Sequence, residues 1–515
     1  MRYLSYKNSD LTIMKNLIHH ISKLIFILSL PQIVLGERGL SADGHYPLFL
    51  ANSLRENIDN IWHFIPSPAP LYFPETFLFL VIQSLINTRD ILLQTSIINI
   101  LFCFTFLWMC LKTIPQIGSQ MNLFKTDSIR DYYYQSFVLC LFALINFTST
   151  GRYALFWVDG ANTHLGAVII SVLILVLLFS NINKIQYSLI LLICGLGFLS
   201  NQLLIVSVTL PILFTLIFQH YQHNGVIVMS QLFRENLSKF LILFTFTLIS
   251  FIPYYFFAGS EISNRHLSSV DNIDKFFVNM EGLLIGAFKN NAISSSVFTF
   301  LILIIIFISI KNYKNKYFQI VYLSLLITFV VSMFTGSFRG WNIRLFLPGL
   351  TLGILAFRYL NLDFLKKICF GMIVVSSYTF TQISYDFNFE PTREELLAKC
   401  INSNIANRTD FIGLAGHWDV APVNYHLKND ILKKSIIYDN GVMTYNWMIN
   451  SLKNRIDKPI KFIIENRQNS HYGFIESKIM KLPGHIKIVH CQKSDSKIHF
   501  FNSDILMRYT RESIK

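Results

Sequence analysis

Long apolar runs dominate the first 385 residues, and a mixture of apolar and charged positions replaces them afterwards. An apolar run of about 17–25 residues is long enough to cross a bilayer as a helix. The pattern predicts about eleven spans, several of them short, near residues 18–36, 91–111, 133–149, 163–180, 187–200, 203–218, 240–258, 296–310, 318–335, 343–360 and 368–384. The run at 77–86 is too short to span, so we expect it to lie at the membrane interface.

Basic residues between the runs predict which side of the membrane each loop faces, because Lys and Arg are enriched in cytoplasmic loops. The loops predicted to be cytoplasmic are 112–132, 181–186, 219–239, 311–317 and 361–367. Alternation then puts the N-terminus in the cytoplasm. It puts the C-terminal tail on the far side, together with the loops 37–90, 149–162, 259–295 and 336–342. The first run is read as a retained helix rather than a signal peptide, since many spans follow it.

The tail alternates short helical and β-branched stretches. Helices are predicted at 392–406, where Pro391 and the acids Glu394 and Glu395 favour a helix start, and at 442–453. Runs rich in β-branched and aromatic residues predict strands at 410–414, 435–438, 460–464, 486–490 and 498–501.

These patterns predict a mainly α fold with two domains. A polytopic transmembrane helical bundle covers residues 1–385 and carries the first outer loop at 37–90. A small periplasmic α/β domain covers residues 386–515.

The distribution of charge agrees with this division. Charged residues make up 14% of the chain, against about a quarter in soluble proteins. Residues 1–385 hold 25 Lys+Arg and 16 Asp+Glu, whereas the 130 residues after them hold 19 and 14. Most of the net charge of +14 therefore lies in the predicted membrane domain, where Lys and Arg mark cytoplasmic loops. The tail intersperses both signs, so no nucleic-acid partner is predicted.

The seven cysteines do not indicate a metal centre. Five lie in the predicted membrane domain and are interpreted as small apolar residues. Cys400 and Cys491 lie in the tail without CxxC spacing, and the sequence leaves open whether they form a disulfide. No cofactor or metal is predicted, and a need for a divalent cation stays open.

Two clusters of polar residues occur in the predicted outer loops of the N-terminal half. Asp43, His45 and Tyr46 follow the first span. A carboxylate at an apolar boundary has a raised pKa, which makes Asp43 a candidate general base; the alternative is that these residues simply face water. Arg152 and Asp159 are isolated charges between the third and fourth spans. They are either functional or an ion pair at the interface.

A third cluster, Arg339 and Arg344, lies beside Trp341 at the start of a late apolar run. A cation there is costly and often functional. The guanidinium fork matches phosphate oxygens, so two arginines suit a phosphate at the membrane surface. Arginines that snorkel as interfacial anchors are the alternative.

The fourth cluster lies in the tail, where Trp418 stands between His417 and Asp419 after an expected turn at 413–416. An exposed Trp would stack on a sugar ring, and a partly buried core Trp is the more common case. The chain has no Walker loop, GxGxxG, HExxH or GxSxG motif. This argues against an ATPase, a nicotinamide enzyme, a zinc protease and an α/β-hydrolase.

The order of these features resembles the polytopic GT-C glycosyltransferases, which use polyprenyl-phosphate sugars. That family has an acidic first outer loop, a P-P-L-Y-Y-like segment, a second outer acid and a late R-Y-L-L-P-like segment. The matching residues are Asp43, Pro70-Leu-Tyr-Phe-Pro74, Asp159 and Arg344-Leu-Phe-Leu-Pro348. The family often has two adjacent acids where this chain has Asp43-Gly44-His45, which puts a metal site in doubt. Size, span count and the C-terminal domain are most similar to bacterial O-antigen-modifying, serotype-converting glucosyltransferases.

The resemblance implies an inverting transfer of one sugar, glucose, from a polyprenyl phosphate to a cell-surface glycan such as lipopolysaccharide O-antigen. The reaction would take place at the periplasmic face of the bacterial inner membrane. Asp43 would be the base and Asp159 would orient the acceptor. The donor phosphate would be bound by Arg344, Arg339 and Arg152, and the acceptor by His45, Tyr46 and Trp418.

Other functions stay open at this point. An O-antigen polymerase or ligase is also polytopic, although such enzymes usually carry a large loop between late helices. A transporter or flippase for lipid-linked sugars would need charges inside its helices, and these helices are almost free of them. A non-catalytic assembly or sensor protein is the third alternative.

Overall fold

The computed structural model describes residues 2–35, 46–59, 72–86, 91–121, 128–148, 165–201, 204–257, 292–334, 347–382, 391–405, 410–427, 431–438, 441–444, 457–465, 476–482 and 484–502. This part of the chain is mainly helical, with one small sheet near the C-terminus. Contacts divide the chain into two compact units. The first comprises Met1–Glu37, Pro68–Leu78 and Leu85–Asp386, and the second comprises Arg38–Ser67, Phe79–Ser84 and Phe387–Lys515.

The helices up to residue 257 overlap the apolar runs, but α1 and α10 begin well before theirs, and α2 and α5 lie in predicted loops. They are α1 (Arg2–Leu35), α2 (Tyr46–Glu56), α3 (Phe77–Ile86), α4 (Ile91–Trp108), α5 (Ile114–Gln120), α6 (Ser128–Thr148), α7 (Leu165–Phe179), α8 (Lys184–Ser200), α9 (Leu210–Asn224) and α10 (Met229–Phe257). Asn183 caps α8 by accepting a hydrogen bond from the Gln186 N–H, which satisfies one of the free donors at a helix start. Gly225 ends α9 in the left-handed conformation that glycine adopts without strain.

The later helices complete both units. They are α11 (Ala292–Lys311), α12 (Lys316–Phe334), α13 (Leu347–Gly353), α14 (Leu362–Thr381), α15 (Arg393–Ile405), α16 (His417–Leu427) and the single turn α17 (Glu476–Ile479). A 3₁₀ segment at Ile354–Tyr359 follows α13 directly.

Four helices in the described ranges are long and apolar enough to cross a membrane: Ile13–Gln32, Leu93–Gln120, Ile205–Asn224 and Met229–Ile252. Shorter apolar helices are Phe73–Ile86, Gly166–Phe179, Lys184–Ser200, Thr299–Lys311 and Lys316–Val331. Large apolar side chains remain exposed along several of them, such as Leu24 at 56% and Phe244 at 62%. Such exposure is compatible with a lipid bilayer. The count of eleven spans stays a prediction.

Three helices of the first unit, α1, α6 and α14, run in the same direction side by side. Between α1 and α6, His19 contacts Ser136 Oγ at 3.2 Å and Asn146 donates to Ser29 Oγ at 2.9 Å, both across 117 residues. Between α6 and α14, the Cys369 thiol donates to the Tyr133 carbonyl across 236 residues. Ser376 repeats this separation with the Cys140 carbonyl. A constant separation along the helices means parallel packing.

The sheet of the second unit has the strand order β3-β2-β1-β4-β6-β5. Its strands are β1 (Ile412–Ala415), β2 (Leu432–Tyr438), β3 (Gly441–Thr444), β4 (Ile460–Ile464), β5 (His485–Cys491) and β6 (Ser496–Phe501). Leu414 of β1 pairs in parallel with Lys433 of β2 and Ile463 of β4. β3, β6 and β5 add to the two edges in antiparallel fashion.

Both faces of this sheet are covered by apolar side chains. One core contains Leu397 of α15 and Val420 of α16, and the other contains Ile412 and Leu414 with Leu482. Gly413 lies in β1 under the ring of Phe462, where a Cβ would overlap the ring. Glycine at this position allows the close approach. The second unit is thus a small α/β arrangement, as expected for the tail.

Two local expectations for the tail are wrong. Residues 442–444 were expected to begin a helix, yet they belong to β3, which pairs with β2 from Ser435 onward. The turn expected at 413–416 is mostly strand, because Gly413 pairs with both neighbouring strands of β1. In both cases the sheet supplies long-range pairs that override short-range turn and helix signals.

Candidate functional site

Most residues predicted to carry chemistry lie outside the described residues: Asp43, His45, Arg152, Asp159, Arg339 and Arg344. Two predicted acceptor-binding residues have a described backbone but no described side chain. Tyr46 opens α2, and Trp418 is the second residue of α16. Their proposed roles stay predictions.

Glu75 is a buried acid in the described part of the first outer loop, and the sequence predicts no role for it. Its side chain is 1% exposed, and its Oε1 accepts a hydrogen bond from the Gly166 N–H at 3.0 Å. Gly166 lies in the first turn of α7, where backbone N–H groups lack intrahelical acceptors. The carboxyl therefore binds a helix end that would otherwise need a partner.

The chain around Glu75 is fixed from both sides. The Phe73 N–H donates to Ser200 Oγ at 2.7 Å, close to the end of α8, and the Phe73–Pro74 bond is cis. A Cβ on Gly166 would lie 2.9 Å from Glu75 Cδ, and still closer to other atoms of Glu75 and Pro74. Glycine at 166 is what lets the carboxyl approach the helix.

Burial raises the pKa of Glu75 to about 8, although its hydrogen bonds with backbone N–H groups oppose the shift. Glu75 precedes α3 and lies outside the four helices of membrane-spanning length. A carboxyl with a pKa near neutrality can both hold and release a proton under working conditions. Such groups are concentrated at functional sites, although structural burial also produces them.

The Glu75–Gly166 hydrogen bond connects the predicted first outer loop to the start of α7. Glu75 belongs to the loop 37–90, which contains Asp43. Gly166 comes two residues after the range 149–164, which contains Arg152 and Asp159. The only sequence signal for Glu75 was an acid placed between Pro74 and an apolar run.

A second polar cluster lies where β1 leads into α16. Asp419 is 1% exposed, and its Oδ1 accepts a hydrogen bond from Arg393 Nη1 at 2.8 Å. Arg393 also donates to Ser496 Oγ at 3.3 Å. Asp419 Oδ2 is buried without a hydrogen-bond partner among the described atoms. The pair fixes α15 against the start of α16, directly beside Trp418.

A third cluster lies at the end of β4. His499 is fully buried between His485 at 3.3 Å and Glu465 at 3.4 Å. Burial lowers the pKa of His499, which the nearby Glu465 carboxylate opposes. Lys497 contacts Glu465 at 3.6 Å and Glu476 at 2.6 Å.

In the described ranges no group of three His, Cys, Asp or Glu side chains has an arrangement that could hold a metal ion.

Cys400 and Cys491 form a disulfide that connects α15 with the end of β5, and their Cα atoms are 5.9 Å apart. The sequence had left this pairing open. The five cysteines of the first unit are free, and four of them are buried.

Comparison with protein-family models, with curated proteins and with solved structures finds no match to this chain.

Proposed function

We propose that the protein is a membrane glycosyltransferase of the GT-C type. It would transfer a single sugar, glucose, from a polyprenyl phosphate to a cell-surface glycan such as lipopolysaccharide O-antigen. The observation that carries the proposal is the buried carboxyl of Glu75, bonded to the start of α7 at 3.0 Å. Glu75 belongs to the same predicted outer loop as Asp43, and its hydrogen bond connects that loop to α7, which follows the predicted outer loop containing Asp159.

The reaction divides into two requirements. The acceptor hydroxyl is a weak nucleophile and transfers its proton to Asp43 as its oxygen attacks the anomeric carbon. The bond between that carbon and the phosphate oxygen breaks with inversion, and the leaving polyprenyl phosphate is bound by Arg344, Arg339 and Arg152. Asp159 orients the acceptor. Glu75 fixes the first turn of α7 through its hydrogen bond with Gly166. His45, Tyr46 and Trp418 contact the acceptor glycan.

Two structural observations support the membrane orientation within this proposal. Because α1 and α6 are parallel, the chain between them must cross the membrane an odd number of times. The span formed by α4 and α5 supplies one crossing, and α3 is predicted to lie at the interface. The Cys400–Cys491 disulfide suits an oxidising compartment. The parallel packing agrees with the predicted number of crossings between the two helices, and the disulfide favours a periplasmic C-terminal unit. With an odd number of predicted spans, the N-terminus would then lie in the cytoplasm.

The test is glycan analysis of cells that carry the wild-type chain, Asp43→Asn or Glu75→Gln at equal levels in the membrane. We expect the wild type to add a sugar branch, Asp43→Asn to abolish it and Glu75→Gln to reduce it. Asp59→Asn is the matched control, because Asp59 is an exposed acid of the same loop. Full branching with Asp43→Asn would remove the proposed base. No branch with the wild type would instead favour a polymerase, a ligase or a non-catalytic assembly protein.

A further inference from the structure

Basic side chains of α1, α6 and α14 lie at one level of the parallel three-helix group. Contacts between α1 and α6 join residues 117 positions apart, which places Lys15 level with Tyr132. Contacts between α6 and α14 join residues 236 positions apart, which places Arg130 level with Lys366. An α-helix rises about 1.5 Å per residue. The three cations therefore lie within about one helical turn of each other along the bundle, and Lys367 comes at the same level.

Two of these lysines approach tyrosine rings at the start of α6. Lys15 Nζ is 4.5 Å from the ring centroid of Tyr132, and Lys366 Nζ is 5.9 Å from that of Tyr133. Tyr132 is exposed, whereas Tyr133 is buried and its hydroxyl has no hydrogen-bond partner among the described atoms. Tyrosine and lysine together are typical of the headgroup level of a bilayer.

Among the described side chains, positive charge exceeds negative charge at this level. Asp131 is paired with Arg358, and Asp363 is paired with Lys366 at 3.2 Å. The acids are thus engaged within the protein. Among the side chains that the structure describes, Lys15 forms no ion pair, and the same holds for Lys367 one residue beyond Lys366.

Apolar faces continue from this basic level along the same helices. Leu24 and Ile27 of α1 are 56% and 58% exposed, and Phe370 and Val374 of α14 are 63% and 50% exposed. A ligand that matches both features has an anionic head and long apolar chains. A free phosphate would use the cations alone and leave the apolar faces unused.

We propose that the basic level of α1, α6 and α14 binds the phosphate headgroup of an anionic phospholipid. Its acyl chains lie along the exposed faces of α1 and α14. Basic pockets between membrane helices bind anionic headgroups in this way. This lipid site depends on the membrane orientation proposed above. It does not depend on the transferase activity, so the two proposals are tested separately.

The test is native mass spectrometry of the full-length chain with phosphatidylglycerol and phosphatidylcholine of identical acyl chains at equal concentration. We expect the wild type to retain phosphatidylglycerol preferentially. Lys15→Gln and Lys366→Gln should each lower its retention about fivefold. The matched control is Lys311→Gln with Lys314→Gln, two exposed lysines of another predicted cytoplasmic loop, which should retain the lipid as the wild type does.

An equal loss of phosphatidylglycerol retention in the control variant would contradict a specific site and indicate general electrostatic attraction to the basic surface. Displacement of the lipid by inorganic phosphate alone would overturn the lipid assignment. If Lys366→Gln fails to fold, Lys15→Gln decides, because its half-buried side chain lies outside the apolar core. Unchanged retention in that folded variant would also contradict the proposal.

Discussion

Glu75 Oε1 accepts a hydrogen bond from the Gly166 N–H at 3.0 Å, so a buried carboxyl joins two segments that are 91 residues apart. The bond connects the first outer loop to the start of α7. Burial, rather than a neighbouring charge, determines the protonation of this carboxyl, because its largest influence is desolvation.

Replacing Glu75 with Gln should flatten a pH dependence of stability. The folded pKa of about 8 lies above the ordinary value of 4.5. Between these values the unfolded chain has released a proton that the folded chain keeps. The free energy of unfolding therefore falls as pH rises, by at most about 1.4 kcal/mol per pH unit. Thermal unfolding of the wild type across this window should show a falling Tm, whereas Glu75→Gln should show a smaller slope. Equal slopes would mean that Glu75 is already ionised at neutral pH.

Gly166→Ala should destabilise the first unit, because its Cβ would overlap the Glu75 carboxyl and the Pro74 ring. We expect a loss of about 1–3 kcal/mol, as for other overpacked sites. Gly371→Ala in α14 is the matched control, since a Cβ there meets no atom within 4 Å. It should be neutral or stabilise by up to about 1 kcal/mol. Thermal unfolding of both variants compares them, and equal Tm values would contradict the close approach.

Arg393→Ala should destabilise the second unit far more than Lys399→Ala. Arg393 pairs with the buried Asp419 at 2.8 Å, and Lys399 pairs with Glu395 at 2.7 Å on the exposed side of the same helix. Removing Arg393 leaves a buried carboxylate uncompensated, which costs about 3 kcal/mol. Removing Lys399 costs less than about 1 kcal/mol. Hydrogen exchange at β1 and α15 measures both effects in the full chain. Similar losses of protection would show that Asp419 is solvated.

Breaking the Cys400–Cys491 disulfide should destabilise the second unit by about 2–5 kcal/mol. Labelling the denatured chain with a thiol reagent should modify five of the seven cysteines without reductant and all seven after reduction. Cys400→Ser combined with Cys491→Ser should label five residues under both conditions. Seven labelled cysteines in the unreduced chain would contradict the bond.

In the second unit, local sequence patterns predict some strands correctly and others not. The strands β4 and β6 lie where β-branched and aromatic runs predicted them, because alternation and turn residues act over a few positions. The strand state of residues 442–444 depends on pairing with β2, so the local pattern predicts a helix there. Nothing near Glu75 in the chain indicates that it is buried against Gly166.

The sequence by itself determined that long apolar helices precede a small α/β unit, since hydrophobic periodicity is a local property. Only the tertiary structure decided that α1, α6 and α14 pack side by side, that Cys400 pairs with Cys491, and that Glu75 is buried. These contacts join residues between 91 and 236 positions apart. They depend on how whole helices pack, which the local pattern of apolar and polar residues does not specify.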